Sequence, residues 1–163
     1  MKRTPQRSTR TRKSVKRVKQ VKPEITEFHI PSRPEYVSIA RLAISGIANR
    51  MSFDYDAIED IKLSVSEACT NIVKHAYKKE HPSSNIIIQC AVYPHKLDII
   101  VKDTGQGFQP DRIKPYKKGS STIQADGSLR LGLFLIKNLM DKVEISSQKG
   151  KGTQVRMIKN LVR

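Results

Sequence analysis

At 163 residues, with 37% hydrophobic side chains, the chain has material for one packed core plus a tail. No stretch approaches the roughly 20 apolar residues of a membrane span, and no signal-type apolar region is seen, so the cytoplasm is the expected compartment. The net charge of +16 is lopsided, since residues 1–22 hold ten Lys or Arg and no acid.

That first segment, Met1 to Lys22, adds only Ser, Thr, Gln, one Pro and three valines to its charges. It buries too little apolar surface to offset its ordering entropy, so residues 1–22 are expected to be a disordered basic tail and residues 23–163 the folded domain. Three readings of the tail stay open: a solvated extension, an electrostatic attachment to nucleic acid, an anionic membrane or an acidic partner, and an Arg-rich targeting segment.

From Pro23 the pattern changes. Glu24 to Ile30 alternates apolar and polar, the period of a half-buried strand. Ser32 and Pro34 then open a predicted helix to about Arg50, with Val37, Ile39, Ala40, Leu42, Ala43, Ile44 and Ile47 apolar. A second helix follows N-cap types at Ser52, Asp54 and Asp56 and ends near Tyr77; Ile58, Ile61, Val65, Ala68, Ile72 and Ala76 give it a continuous stripe. Lys78 to Ser84 reads as a polar turn. Asn85–Tyr93 and Leu97–Asp103 read as a hairpin of two strands around Pro94-His95-Lys96. Residues 104–128, with four Gly and two Pro, read as a loop long enough to be functional. A short helix from Leu131 to Met140 and a last hairpin, Val143–Ser147 with Thr153–Met157, complete the chain. Helices grouped against an antiparallel or mixed sheet predict a two-layer α/β sandwich. Cys69 and Cys90 lack metal-ligand spacing and read as buried free thiols.

Four features could carry chemistry. Glu67, Asn71 and His75 are four apart and share a helix face away from the apolar stripe; the face lacks the Lys and Arg of an ordinary solvated surface. Asp103 ends a strand before Gly105 and Gly107, and an ionised carboxylate there could accept from an exocyclic amine such as adenine's. Leu131-Gly132-Leu133 opens a predicted helix, whose N-terminal N–H groups suit phosphate. Gly150-Lys151-Gly152-Thr153 places a hydroxyl at a hairpin turn. Each also has a plain structural reading, as a polar face or a turn.

Together, Glu67 to Tyr77 (Glu-Ala-Cys-Thr-Asn-Ile-Val-Lys-His-Ala-Tyr), Asp103-Thr104-Gly105-Gln106-Gly107-Phe108, Leu131 to Asp141 and Gly152-Thr153 resemble the GHKL (Bergerat) ATPase fold. Within it, the helix motif ending His75-Ala76-Tyr77 and the Leu139-Met140-Asp141 ending resemble the anti-sigma-factor serine/threonine kinases of bacteria. The resemblance spans about residues 24–158. It implies helices on one face of a mixed, mostly antiparallel sheet, with residues 108–131 as an ATP lid. It implies ATP and Mg2+ as cofactors, Glu67 as the base, Asn71 as the metal ligand, and Asp103 with Thr153 at adenine. Gly105 and Gly107 would give the nucleotide room, and His75 and Gly132 would belong to the same site. The implied partners are an anti-anti-sigma (STAS-type) protein substrate, a sigma factor, and a second copy in a homodimer. The family often has Gly-x-Gly where this chain has Arg130-Leu131-Gly132. Arg130 could supply a guanidinium to the phosphates with Lys117 and Lys118, or point to solvent. A nucleotide-dependent binding module without phosphotransfer is the alternative function.

Overall fold

The computed structural model describes residues 21–77, 84–109 and 125–162. Most of the basic tail (1–20), the turn at 78–83, and the lid segment 110–124 with Lys117 and Lys118 lie outside the described residues.

The chain runs β1 (Glu24–Pro31), α1 (Pro34–Arg50), α2 (Tyr55–His75), β2 (Asn85–Tyr93), β3 (Lys96–Lys102), α3 (Ala125–Leu139), β4 (Lys142–Gln148) and β5 (Gly152–Asn160). The five strands form one sheet in the order β1-β2-β3-β5-β4. Every pairing is antiparallel, so the sheet is not mixed. A parallel pair would need a crossover. Here β1 reaches β2 after the α1–α2 excursion, α3 carries the chain across from β3 to the edge strand β4, and β5 turns back between those two, antiparallel to both.

The strand register separates two faces. Ile88, Cys90, Ile99, Val101, Val155 and Met157 share the inner face and are buried with the helices. Each fully buried Ile contributes roughly 1.5–3 kcal/mol relative to exposure. The outer face carries Glu27, His29, Gln89, Asp98 and Arg156. There the Arg156 guanidinium donates to both Asp98 oxygens, at 2.6 Å from Nη2 and 3.0 Å from Nε.

Helix α2 starts as its sequence demands: the Asp54 side chain accepts from the Ala57 N–H at 2.8 Å. Its stripe is buried at Ile61, Val65, Ala68 and Ile72. In α1, Ala40, Ile44 and Ala48 face inward, while Ile39 and Leu42 stand exposed, so only part of that helix's apolar content is core. Both cysteines are buried and free, and burial pushes each thiol up to about 12.

Helix α3 begins at Ala125, six residues earlier than its sequence predicts. Leu129, Leu133, Ile136 and Met140 recur at helical spacing and are all buried. Burial of Leu129 extends the helix through Gly127, whose composition reads as loop.

Candidate functional site

One cleft lies between α2, the chain leaving β3, α3 and the start of β5. Its walls include Asn71, His75, Asp103, Gly107, Leu133 and Thr153.

The Asp103 side is built by the backbone. The Asp103 N–H donates to the Thr153 carbonyl at 2.9 Å, which extends the β3–β5 ladder one step beyond β3. Asp103 therefore continues the inner-face alternation of Leu97, Ile99 and Val101, and its carboxylate is buried. One oxygen, Oδ1, accepts the Gly105 N–H at 2.7 Å. The other, Oδ2, is buried and has no hydrogen-bond partner among the described residues. Burial raises the carboxyl pKa above the usual aspartate value, and the Gly105 and Thr153 backbone N–H groups partly offset that rise.

The loop after Asp103 is pinned at several points. Gln106 N donates to the Ala76 carbonyl at 2.7 Å, its side-chain amide to the His75 carbonyl at 2.7 Å, and its own carbonyl accepts from Gly150 N at 2.6 Å. A Cβ added at Gly105 would stand 2.2 Å from the Ala76 carbonyl oxygen. The room that Gly105 makes is therefore for the end of α2, and Gly105 is not on the cleft wall. Gly107 does line the cleft, with φ +60, and passes against Gln148 on its other side.

At the other end, Asn71 is buried, and neither its Oδ1 nor its Nδ2 has a hydrogen-bond partner among the described residues. Its helix face is not a solvated surface, because α3 packs on it. A Cβ added at Gly132 would stand 2.8 Å from Asn71 Nδ2 and 3.0 Å from Glu67 Oε2. The early start of α3 puts Gly132 in its second turn, so Gly132 offers close helix approach instead of free N-terminal N–H groups. Glu67 sits under Gly132, half-buried and just beyond the cleft wall. His75 lines the cleft, and Arg130 is a half-buried residue of α3 off its wall. The structure thus brings together Asn71, His75, Asp103, Gly107 and Thr153, with Glu67 and Gly132 adjoining.

Ser147 also belongs to the Asp103 end of the cleft. Its hydroxyl lies 2.9 Å from Thr153 Oγ1, accepts the Phe108 N–H at 2.8 Å, and donates to the Gly152 carbonyl at 3.1 Å. Its signal in the sequence is alternation: Val143, Ile145 and Ser147 fall on one side of β4, and Ser147 pairs with Thr153. Tyr77 also does more than complete its motif. Its hydroxyl accepts the Thr104 N–H at 3.3 Å and donates to the Asn85 carbonyl at 3.1 Å, tying the loop to β2.

Comparison with known proteins agrees with this geometry. Residues 30–159 match the family model described as histidine kinase-like ATPase domain. The chain is 43% identical over 146 residues to the serine-protein kinase RsbW of Bacillus pumilus, covering 86% of this chain and 88% of that protein. It is 43% identical over 139 residues to the serine-protein kinase RsbW of Bacillus subtilis, covering 83% and 84%. Among solved structures, the RsbU and RsbW domains of a Mycobacterium tuberculosis protein superpose with a TM-score of 0.61 at 20% identity. That match covers 85% of this chain and 33% of the longer one, and it bears on the fold alone.

Proposed function

We propose that this chain, which belongs to the histidine kinase-like ATPase family and within it to the RsbW serine-protein kinases, transfers the terminal phosphoryl group of ATP to a serine or threonine of a protein substrate. The observation that carries the reading is a cleft with unpartnered buried polar atoms at both ends, Asp103 Oδ2 and the Asn71 amide. Buried polar groups are nearly always paired, so these atoms fit groups that a ligand supplies.

The residues suit the nucleotide and its metal. Asp103 Oδ2 accepts only, which matches the exocyclic amine of adenine. Asn71 offers an amide oxygen, the hard donor that Mg2+ takes along with waters and phosphates. Magnesium, when bound, neutralises phosphate charge. Glu67 lies one helical turn from Asn71, outside the base-binding wall, where an acceptor hydroxyl from a second protein can arrive. Its carboxylate takes that proton as the oxygen attacks. His75, Gly107 and Thr153 shape the cleft wall, and Gly132 lets α3 approach the two polar residues. Arg130 serves the phosphates from α3.

The biological reading is an anti-sigma factor kinase acting in the cytoplasm as a homodimer, with a STAS-type anti-anti-sigma protein as substrate and a sigma factor as second partner. No helix among the described residues is long and apolar enough to cross a membrane. The basic segment 1–22 is a tail appended to the kinase domain. Labelled ATP and a native cell extract provide the test: a partner captured by the chain should gain label. A partner whose affinity changes with ATP, yet never gains label, would support the binding-module alternative instead.

A further inference from the structure

The Ser147 hydroxyl makes three contacts, and only one arrangement of protons satisfies them together. The Phe108 N–H can only donate, and the Gly152 carbonyl can only accept. Ser147 has a single proton and two lone pairs. It therefore donates to Gly152, accepts from Phe108, and takes its second acceptor contact from Thr153 Oγ1–H at 2.9 Å. Thr153 lines the cleft beside Asp103, on the same inner face and joined to it by a backbone hydrogen bond. With its proton turned back to Ser147, Thr153 shows the cleft lone pairs only.

We infer that Ser147, by holding the Thr153 hydroxyl proton, makes Thr153 a second acceptor beside Asp103 and so sets the cleft to select 6-aminopurine over 6-oxopurine nucleotides. This rests on the reading of the cleft as a nucleotide site. A 6-aminopurine brings N–H donors to two acceptors. A 6-oxopurine brings an acceptor oxygen in place of the amine; its N1–H can serve one of the two acceptors, and the other is left facing that oxygen unpaired. Without the Ser147 hydroxyl, the Thr153 O–H is free to turn into the cleft and donate to a 6-oxo group. Ser147 touches no base in this scheme and is a positioning residue.

The test is titration of the full chain with ATP and with ITP, which differ in the 6-amino or 6-oxo group and in the proton on N1, in the presence of Mg2+. Ser147→Ala should lower the ATP-over-ITP preference roughly tenfold, the scale of one hydrogen bond gained or lost. Most of the change should come from tighter ITP binding. A loosened loop alone would weaken both nucleotides equally and leave the ratio fixed. Ser147→Thr, which keeps a hydroxyl, should restore the preference. Thr153→Val, which removes the second acceptor, should lower it without further loss in the double variant. An unchanged ratio in Ser147→Ala, or in Thr153→Val should the first variant not fold, overturns the inference while Asp103-dependent ATP binding leaves the site reading standing. ATP binding that is absent from the parent chain, or indifferent to Asp103→Asn, overturns the site reading itself.

Discussion

At the Asp103 end of the cleft, backbone and side chains fix one another: Asp103 to Gly105 and Thr153, Gln106 to Ala76 and Gly150, Ser147 to Thr153 and Phe108. At the α3 end, the Asn71 amide is buried without such partners, and the contacts are those of two helices made close by a glycine. The polar link shown between α2 and α3 there is Lys74 Nζ to Ser128 Oγ, at 3.3 Å. The difference teaches how such a site divides its work. The Asp103 end is preorganised by the sheet, so recognition of a ligand there would cost little reordering. The Asn71 end is held by packing, and its unpaired polar atoms suit groups that a ligand would supply.

The contrast yields predictions of decreasing size. Glu67→Gln should slow phosphotransfer by about 10²- to 10⁴-fold, the usual weight of a general base, while ATP titration stays near the parent value. Substitution of glycines by alanine should then separate the two ends. At Gly152 the new Cβ would meet the Asp103 carbonyl oxygen at 2.1 Å, with φ +83, and neither backbone can yield. Thermal or denaturant unfolding should show a loss of about 2–4 kcal/mol. At Gly132 the new Cβ meets side-chain ends, Asn71 Nδ2 and Glu67 Oε2, which can rotate away. Stability should change by less than about 1 kcal/mol, since alanine favours the helix. Turnover should nevertheless fall by about tenfold or more, because both groups leave their positions. Equal losses of stability at the two glycines would erase the distinction between the ends.

The pH dependence belongs to the Asp103 end. Burial lifts the Asp103 carboxyl above its usual value, and only the ionised form accepts at both oxygens. ATP affinity should therefore begin to fall, on acidification, at a pH above the ordinary aspartate value of 3.8, and Asp103→Asn should remove that dependence. For folding the sign is opposite. A raised folded-state pKa means that ionised Asp103 opposes folding above that pKa, and the opposition fades as the pH falls to the ordinary value. The smallest effect is expected at Lys74→Ala, whose exposed contact to Ser128 is worth at most about 0.5 kcal/mol. A tenfold change in ATP affinity there would mean that α3 is held by specific bonding after all.

Local chemistry was readable in advance where neighbours in sequence decide it. Asp54 caps α2, the stripe from Ile61 to Ile72 buries, and Asp103 falls at a strand end beside two glycines. Features decided by distant residues were not. Leu129 draws Gly127 into α3 because a core lies beneath it, which the local run of glycine and proline could not reveal. Gly105 makes room for Ala76, whose approach depends on where α2 ends. Ile39 and Leu42 are apolar yet exposed, since only one side of α1 meets the core. Ser147 acquires its role from a register that sets it opposite Thr153, and from Phe108, 39 residues away.

The most direct test of the nucleotide site is ATP titration of the parent chain and Asp103→Asn at neutral pH, with melting curves to show that both are folded. Replacing the carboxylate places an amide donor where an acceptor is needed, so affinity should fall by roughly tenfold to a hundredfold with folding intact. Equal affinity in two folded proteins would contradict the placement of the base at Asp103.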